Sequence, residues 1–486
     1  MTAGVDRASG SIGARVQAVR RPSPWVGWHR RWEVWAIVGA IVFAAVAVWR
    51  FGRRYTYFDM KIYHGAVEWW FHGGELYEFI APNTTLGFTY PPFAALTMLP
   101  MASMSAITAG WVNTFASVAA LTALLAALLF PVADRWGWPR WPTLGIAVPL
   151  ALALEPTRET LGFGQVNLLL FALVFADLLA LRWRANAGTR RPVRSAAPSP
   201  ARGDLAALAQ QAGAWLSRFW FSGAWAGVGI GLATAVKVTP GLFLFYLVLS
   251  RQWRPALVAT GTAAGATLLA AVVAPKESFT YFTSALWQTD RVGTADFTPN
   301  QALSGLLARL YDSPEAPGLL WLTFAALCAA LGLSRAVTAH REGDELTAFT
   351  LVGLTSTVIS PISWSHHLVF VIPALIVLVD AAMRRRATVR RMHPGASLAG
   401  LRYAAAALGT YLLFVVSPIW WVHHRLPESS HYDSGIYGLL AENSLALGVI
   451  LLTALLPWRV GADPAPTSMR AEYPLRYVIR SPRARV

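Results

Sequence analysis

The chain has 486 residues, of which 55% are hydrophobic and only 14% are charged, and its formal net charge is +16. Soluble domains of this length carry far more charge, so the composition excludes a soluble globular protein. The arginines cluster in short stretches between apolar runs, which is typical of membrane-protein loops and argues against a nucleic-acid-binding protein. With Cys328 as the one cysteine, the chain has no intrachain disulfide and no cysteine-based metal site.

Apolar segments that can cross a hydrocarbon core of about 30 Å recur along the chain and predict roughly twelve membrane spans. The fifth and sixth of these segments can also form one broken helix. The first span follows a basic stretch and precedes arginines, so we expect it to be retained rather than cleaved as a signal peptide. No internal repeat is apparent. The predicted spans centre near 34–50, 107–131, 143–156, 161–182, 222–236, 239–250, 255–274, 317–338, 346–361, 367–383, 399–420 and 441–458.

Basic residues predict the orientation, with the N-terminus in the cytoplasm. The linker, rich in Ala, Pro, Arg and Gly, is expected to be flexible. It separates a first transmembrane part, 34–182, from a second, 222–458. Four arginine-rich stretches then lie on the cytoplasmic side, namely the N-terminus 1–33, the linker 183–221, the run 384–391 and the tail 459–486.

The same orientation places three polar segments on the outer face, 51–105, 275–316 and 421–440. The first contains an amphipathic stretch from Asp59 to Phe71 whose apolar residues recur at helical spacing, which suits a helix lying among lipid headgroups. In the third segment, 421–440, we expect the side chains of His423, His424 and His431 to face solvent. Polar motifs at the ends of spans collect on this face, which predicts one assembled site.

Asp59 is the leading candidate for chemistry. It follows the first span near the outer interface, where desolvation raises the basicity of a carboxylate. Such a group suits a general base that acts on a sugar hydroxyl. The alternatives are a solvated loop carboxylate or a helix N-cap.

Other charged residues at the outer face suit an anionic ligand. Lys237 follows a very apolar run, so its ammonium needs an anion or the interface, and the choice is between a lipid phosphate and snorkelling to headgroups. Arg291 can bind a phosphate bidentately or form a solvated pair with Asp290. Glu155 can pair with Arg158 or with Lys237 at a helix end.

His366 and His367 begin a span, and adjacent histidines point in different directions, which argues against a two-histidine metal site. One of them can bond a phosphate or a sugar hydroxyl, or both can be structural. The amides of Gln165 and Asn167 suit bonds between helices as well as to substrate. Without a nucleotide-binding motif or zinc spacing, we expect no cofactor and no metal. Tyr63, His64, Tyr90, Asn300, Gln301 and Trp364 complete the predicted substrate-binding set.

The ordered motifs of residues 50 to 385 resemble glycosyltransferase family 87, whose best-known members are actinobacterial α-(1→2)-mannosyltransferases. The resemblance implies an all-α integral membrane fold of the GT-C type, with outer-face loops and interfacial helices. It also implies a polyprenyl-phosphate sugar donor, used without a nucleotide sugar at the outer face of the plasma membrane. The implied acceptors are phosphatidylinositol mannosides or lipomannan. The motifs are Asp59 with Tyr63, Phe88–Pro92, Glu155-Pro156, Phe163–Asn167, Lys237–Pro240, Thr289–Gly293, Asn300-Gln301 and Ser360–His367.

The same resemblance implies roles for individual residues. Asp59 matches the family's acidic residue in the first outer loop, its presumed base, and His366 or His367 matches a Trp-Ser-His-His motif near donor and acceptor. The long linker 183–221 departs from the pattern and leaves the subfamily open. Three alternatives remain: a lipid-linked arabinosyltransferase of the same class, a secondary transporter, or a non-catalytic scaffold or flippase partner. A transporter favours polar residues near the middle of spans and paired repeats.

Overall fold

The computed structural model describes residues 26–53, 55–187, 205–288, 291, 293–393, 395, 398–423 and 430–462, and the regular structure within them is helical. The α-helices are α1 Val26–Phe51, α2 Phe58–Phe71, α3 Pro92–Met98, α4 Ala106–Trp136, α5 Arg140–Leu152, α6 Glu155–Phe163, α7 Asn167–Ala187, α8 Leu205–Ser222, α9 Val228–Val236, α10 Leu242–Leu249, α11 Trp253–Val273, α12 Pro275–Thr283, α13 Leu303–Leu310, α14 Gly318–Arg341, α15 Glu345–Ile359, α16 Val371–Met392, α17 Leu401–Val416, α18 Ile419–His423, α19 Gly435–Glu442 and α20 Ser444–Leu455.

The multi-pass, all-helical prediction is confirmed, but the count of about twelve spans is not. Each predicted span coincides with a helix. Six helical segments in the described part of the chain are long and apolar enough to cross a membrane, and the bent pair α19 and α20 makes a seventh if taken as one span. The rest are shorter or less apolar, such as α9 with 9 residues and α10 with 8. The six segments are Trp32–Phe51, Ala106–Trp136, Trp253–Val273, Gly318–Arg341, Ser365–Met392 and Leu401–His423.

Helix α15 lies at the centre of the core, because every residue from Leu346 to Val358 is buried. Aromatic rings of neighbouring helices pack against it, among them Phe175 and Phe243 around Phe349. Its threonine hydroxyls donate to carbonyls one turn back, as Thr350 does to Leu346 at 2.7 Å. The helix thus carries polar side chains in apolar surroundings without leaving them unpaired.

Helix α9 is short, and a neighbouring helix holds its first turn. A carboxylate of α7, Asp177, accepts the backbone N–H groups of Gly229 at 3.2 Å and Ile230 at 2.7 Å. The two helices approach so closely that a Cβ at Gly229 would lie 2.0 Å from the carbonyl oxygen of Leu173. Because both contacts fix the start of α9, they also fix the position of Lys237 directly after its last residue.

The bundle has two chemically different ends. At one end of α4, Asn113 donates to the backbone of Gln165. At the other end, Trp136 donates to Asp380 in a buried ion-pair network in which Arg459 binds both Asp380 and Asp344. Twenty-three residues separate Asn113 from Trp136, which is about 35 Å at 1.5 Å per residue. The polar residues near Gln165 and this network therefore lie at opposite ends of the bundle.

The first two polar segments predicted to share a face pack against each other. The stretch predicted from Asp59 to Phe71 is α2, and Trp70 on it donates to Glu277 of α12 at 2.9 Å. Tyr281 of α12 joins the apolar cluster formed by Tyr63, Tyr77 and their neighbours. This cluster packs the buried face of α2 against the neighbouring segments.

The predicted linker 183–221 is helical at both of its ends. Helix α7 continues to Ala187, and α8 begins at Leu205, so the described parts of the segment expected to be flexible are helical. Residues 188–204 lie outside the described residues, as do 1–25 of the predicted basic N-terminus and 463–486 of the predicted tail.

Candidate active site

Asp59 lies in the first turn of α2, and two local features bring it to Gln165. The backbone N–H of Tyr57, just before α2, donates to the carbonyl of Gly162 at the end of α6 at 3.0 Å. Gly164 then turns the chain from α6 into α7 with φ +74, and a Cβ there would lie 2.6 Å from the Cβ of Met60. Only glycine combines this backbone angle with this close approach.

Gln165 is the centre of a buried hydrogen-bonded group. Its Nε2 donates to Oδ2 of Asp59 and to the hydroxyl of Tyr63, the latter at 2.7 Å. Its Oε1 accepts from the hydroxyl of Tyr90 at 2.7 Å, and Tyr63 donates to Tyr90 at 3.2 Å. Asn113 of α4 donates to the backbone oxygen of Gln165 at 3.1 Å. Both amide hydrogens and the oxygen are therefore used within the protein, and the orientation of the amide is defined.

The surroundings of Asp59 raise its pKa from its ordinary value to about 6. Burial is the main cause, because it disfavours the charged form. The hydrogen bond from Gln165 and the charge of Lys237 act in the opposite direction. A carboxylate with this pKa is ionised at neutral pH and still basic enough to accept a proton from a hydroxyl.

Lys237 lies beside the ring of Tyr90. The chain is extended at this residue, with φ −148 and ψ 127, so α9 ends and the side chain turns inward. Its Nζ donates to Oδ1 of Asn167 at 3.1 Å and lies 2.9 Å from Nε2 of His367. The ammonium position is 5.3 Å from the centroid of the Tyr90 ring. A carboxylate and an amine are thus connected through Gln165 and one tyrosine.

The two histidines diverge, as predicted, with ring planes at 87° to each other. The ring of His366 packs 5.2 Å from that of Phe163, and its Nε2 is buried without a hydrogen-bond partner among the described residues. Its carbonyl accepts from Asn167 at 3.1 Å and from Thr160 at 3.1 Å. His366 therefore joins the turn 363–367 to α6 and α7, while His367 faces Lys237.

A small cavity of about 50 Å³ adjoins this amine. Its polar end is formed by Asn167, Lys237 and His367. One wall is apolar and comes from Leu170, Phe171 and Val174 of α7 and from Val369 and Phe370 just before α16. Ser356 and Thr357 of α15 and Thr239 add hydroxyl groups to the lining. The cavity suits a ligand with an anionic head and a hydrocarbon chain.

Several predicted site residues lie apart from this group and are used by the protein itself. Glu155 pairs with Arg158 at 2.6 Å, not with Lys237, and also accepts from Trp420 at 2.7 Å. Arg291 donates to the carbonyl of Tyr77 and to Gln288. His64 bonds the carbonyl of Met104 at 2.6 Å. Asp290 lies outside the described residues.

Asn300 and Gln301 join three parts of the chain. Oδ1 of Asn300 accepts the N–H of Ser363 at 3.0 Å, and the Asn300 backbone forms a β-bridge with Trp364. Gln301 donates to the carbonyl of Glu442 at 2.8 Å and accepts from the N–H of Ala446 at 2.8 Å. Both side chains are fully buried and support the turn that carries the histidines.

The sequence analysis missed two residues near the site. Asn113 is a lone amide in an otherwise apolar span, and that isolation was the available signal. Glu159 is buried beside Glu155, and burial followed by the charge of Glu155 raises its pKa well above the ordinary value. Among the described residues, no group of three or more His, Cys, Asp or Glu side chains is placed to hold a metal ion.

One expectation for the outer loops is wrong. His431 was predicted to face solvent, but it is buried, and its Nδ1 lies 3.0 Å from Glu442. Its Nε2 lies 3.5 Å from Asp296. Carboxylates from two other segments draw this histidine inward. His424 lies outside the described residues.

Comparison with known proteins identifies the family. The model of glycosyltransferase family 87 matches residues 88–361, more than half of the chain, so the chain belongs to this family. A polyprenol-phosphate-mannose-dependent α-(1-2)-phosphatidylinositol mannoside mannosyltransferase of Mycobacterium tuberculosis is 29% identical over 90% of this chain and 95% of its own length. The protein of the same description from Mycolicibacterium smegmatis is 30% identical over 75% and 78%.

Among solved structures, ArnT from Cupriavidus metallidurans bound to undecaprenyl phosphate aligns with 87% of this chain and 78% of its own. The TM-score is 0.34 and the sequence identity 16%, a similarity too weak to support a conclusion about this chain.

Proposed function

We propose that this member of glycosyltransferase family 87 transfers mannose from a polyprenyl-phosphate-mannose carrier to the 2-hydroxyl of a mannose on a phosphatidylinositol mannoside or lipomannan. The reaction takes place at the outer face of the plasma membrane, and Asp59 is the general base. The observation that carries this proposal is the pair of Asp59 and Lys237, joined through Gln165 and Tyr90.

The chemistry follows from these two groups. The acceptor hydroxyl attacks the anomeric carbon, and its proton passes to Asp59. The bond between the anomeric carbon and the phosphate oxygen breaks, and its electron pair stays on the phosphate. Lys237 stabilises the negative charge that develops there. A β-linked donor that is inverted in this single step yields an α-linked product.

The cavity beside Lys237 supports a lipid-linked donor. A carrier phosphate at Lys237 and His367 would direct the first isoprene units toward the apolar wall formed by α7 and by Val369 and Phe370. Tyr63 and Tyr90 are buried and bonded to Gln165, and they hold Gln165 and Asp59 in place for the acceptor hydroxyl. Holding both reactants in line removes much of the entropic barrier to the transfer.

The mycobacterial relatives support mannose as the transferred sugar, since both are described as polyprenol-phosphate-mannose-dependent mannosyltransferases. The position of polar side chains supports an enzyme over a transporter, because Asp59, Gln165 and Lys237 all lie at or beside helix ends.

The test is a transfer assay in proteoliposomes that combines polyprenyl-phosphate-mannose with phosphatidylinositol mannosides of different mannose number. We expect transfer by the wild type and its loss in Asp59→Asn, because the amide cannot accept the proton. Asp134→Asn is the matched control, since it removes an exposed carboxylate paired with Arg140 near the far end of α4.

Three outcomes contradict parts of the proposal. Transfer that survives in folded Asp59→Asn places the base elsewhere. Transfer of arabinose from its polyprenyl phosphate, with none of mannose, changes the donor. A folded wild type that transfers neither sugar contradicts the proposal that the protein is an enzyme. A transport assay is then the next measurement.

A further inference from the structure

The hydrogen bonds of His367 define where its proton lies. The backbone N–H of Trp364 donates to Nδ1 of His367 at 3.2 Å. A ring nitrogen that accepts a hydrogen bond has a lone pair, so Nδ1 carries no hydrogen. The ring therefore carries its hydrogen on Nε2, and His367 is neutral with a donor on the side that faces Lys237.

This donor meets Lys237 at 2.9 Å. An ammonium group has three donors and no acceptor, so a charged Lys237 would place donor against donor at this distance. A neutral amine has one lone pair and two hydrogens. It accepts from Nε2 of His367 and donates to Oδ1 of Asn167 at 3.1 Å, which satisfies both contacts.

The groups that face Lys237 are compatible with a neutral amine. Asp59 of α2 is the carboxylate that favours the charged form. Asn167 of α7, the Tyr90 ring and the two histidines are neutral partners. Lys237 lies in the turn between the predicted spans 222–236 and 239–250, and burial lowers its pKa to about 7.

We propose that the donor phosphate binds at Lys237 with uptake of one proton, and that His367 is the positioning residue that links binding to protonation. This inference rests on the proposed function, because it takes the anion to be the phosphodiester of a polyprenyl-linked sugar. A phosphate oxygen accepts from Nε2–H of His367 and from the ammonium of Lys237, which relieves the conflict between two donors.

The proton comes from solvent. The phosphodiester of the donor carries one negative charge and does not titrate near neutral pH, so the uptake belongs to the protein. After transfer the leaving phosphate monoester carries one more negative charge, and the ammonium acquired on binding faces that charge. Donor affinity therefore falls as pH rises above the pKa of Lys237 in the free protein, by about tenfold per pH unit for one linked proton.

The experiment is calorimetric titration of the full-length protein in detergent with polyprenyl-phosphate-mannose, without acceptor. Titrations at pH 8.5 in two buffers of different ionisation enthalpy give the number of protons taken up. We expect a value near one for wild type, falling toward zero at pH 5.5. Lys237→Arg is the matched variant, since arginine stays charged and should bind the donor with uptake near zero.

Asp59→Asn separates the two titrating groups, and uptake near one should persist in it at pH 8.5. Uptake that disappears in Asp59→Asn overturns the assignment to Lys237, as does uptake that persists in Lys237→Arg. If Lys237→Arg does not fold, the pH dependence of wild-type affinity decides, and affinity unchanged between pH 6 and 9 overturns the proposal.

The transfer assay distinguishes the two levels of inference. A wild type that transfers mannose but binds the donor without proton uptake refutes only the linkage. A folded wild type that neither binds the donor nor transfers mannose refutes the proposed function together with the linkage.

Discussion

Replacing Gln165 with leucine should move the pH dependence of the reaction to higher pH. Gln165 donates to Asp59, and this hydrogen bond lowers the pKa of the carboxyl against the effect of burial. A hydrogen bond to a charged group contributes roughly 1.5–3 kcal/mol. At 1.36 kcal/mol per pKa unit, its loss raises the pKa by about 1–2 units. From about 6 in the wild type, the value becomes about 7–8.

The sign follows from the role of the carboxylate. A general base acts only when it is ionised, so kcat/KM rises as pH passes through the pKa of Asp59. At pH 7 the ionised fraction drops from about nine-tenths to between about half and a tenth. We therefore expect a two- to tenfold loss relative to wild type at pH 7, in addition to any loss of sugar contacts. The ratio of variant to wild-type kcat/KM should recover that part toward pH 9, because the fall assigned to Lys237 affects both proteins equally.

The assay is kcat/KM for mannose transfer from pH 5 to 9.5, in wild type and Gln165→Leu. Gln288→Leu makes the same exchange at an exposed position and should keep the wild-type profile. The fall in kcat/KM at high pH, which we attribute to Lys237, should keep its wild-type position. If kcat/KM falls but its rise at low pH stays at the wild-type position, Gln165 is only structural. If that rise moves to lower pH, the argument is refuted.

Two further predictions concern the scaffold, and both are measured as thermal unfolding in detergent. Gly229→Ala should destabilise the protein by about 1–3 kcal/mol, because its Cβ meets the carbonyl of Leu173. Gly261→Ala in α11 meets no atom of the described residues within 4 Å and should be neutral or slightly stabilising, since alanine favours a helix more than glycine does. Equal melting temperatures of the two variants would contradict the close approach of α7 and α9. Arg459→Met should cost about 3–5 kcal/mol, because it removes the arginine that pairs with the buried carboxylate of Asp344, whereas Asp380 keeps Arg135 and Arg384. Arg140→Met, which removes an exposed partner of Asp134, should leave the melting temperature unchanged, and an equal loss in both variants would argue against burial as the cause.

Local sequence patterns predicted much of this architecture. Apolar runs are tied to helices because a buried backbone must satisfy its own hydrogen bonds, and each predicted span coincides with a helix. The helical spacing from Asp59 to Phe71 predicted α2, and the adjacency of His366 and His367 predicted diverging rings. The cost of a buried ammonium singled out Lys237 as a residue that needs partners.

The number of spans and the partners of polar side chains could not be predicted in the same way. Whether a run such as 228–236 crosses a membrane depends on where the helix ends and on what packs against it. Here the helix ends before Lys237, and Asp177 of the neighbouring helix binds its first turn. Asn300 and Gln301 belong to a motif, but only the folded chain places them beneath the histidine turn. His431 lies in a polar segment and was therefore predicted to face solvent, but it is buried between the carboxylates of Asp296 and Glu442.

The sequence by itself determined the class of protein, the helical segments and the residues at their ends, since these depend on hydrophobicity and on neighbours along the chain. Only the tertiary structure decided that Gln165 holds Asp59, that Glu155 pairs with Arg158 and that His367 faces Lys237. Gln165 and Asp59 are 106 residues apart, and Lys237 and His367 are 130 apart. Contacts at such separations depend on how helices pack against each other, which local periodicity does not encode.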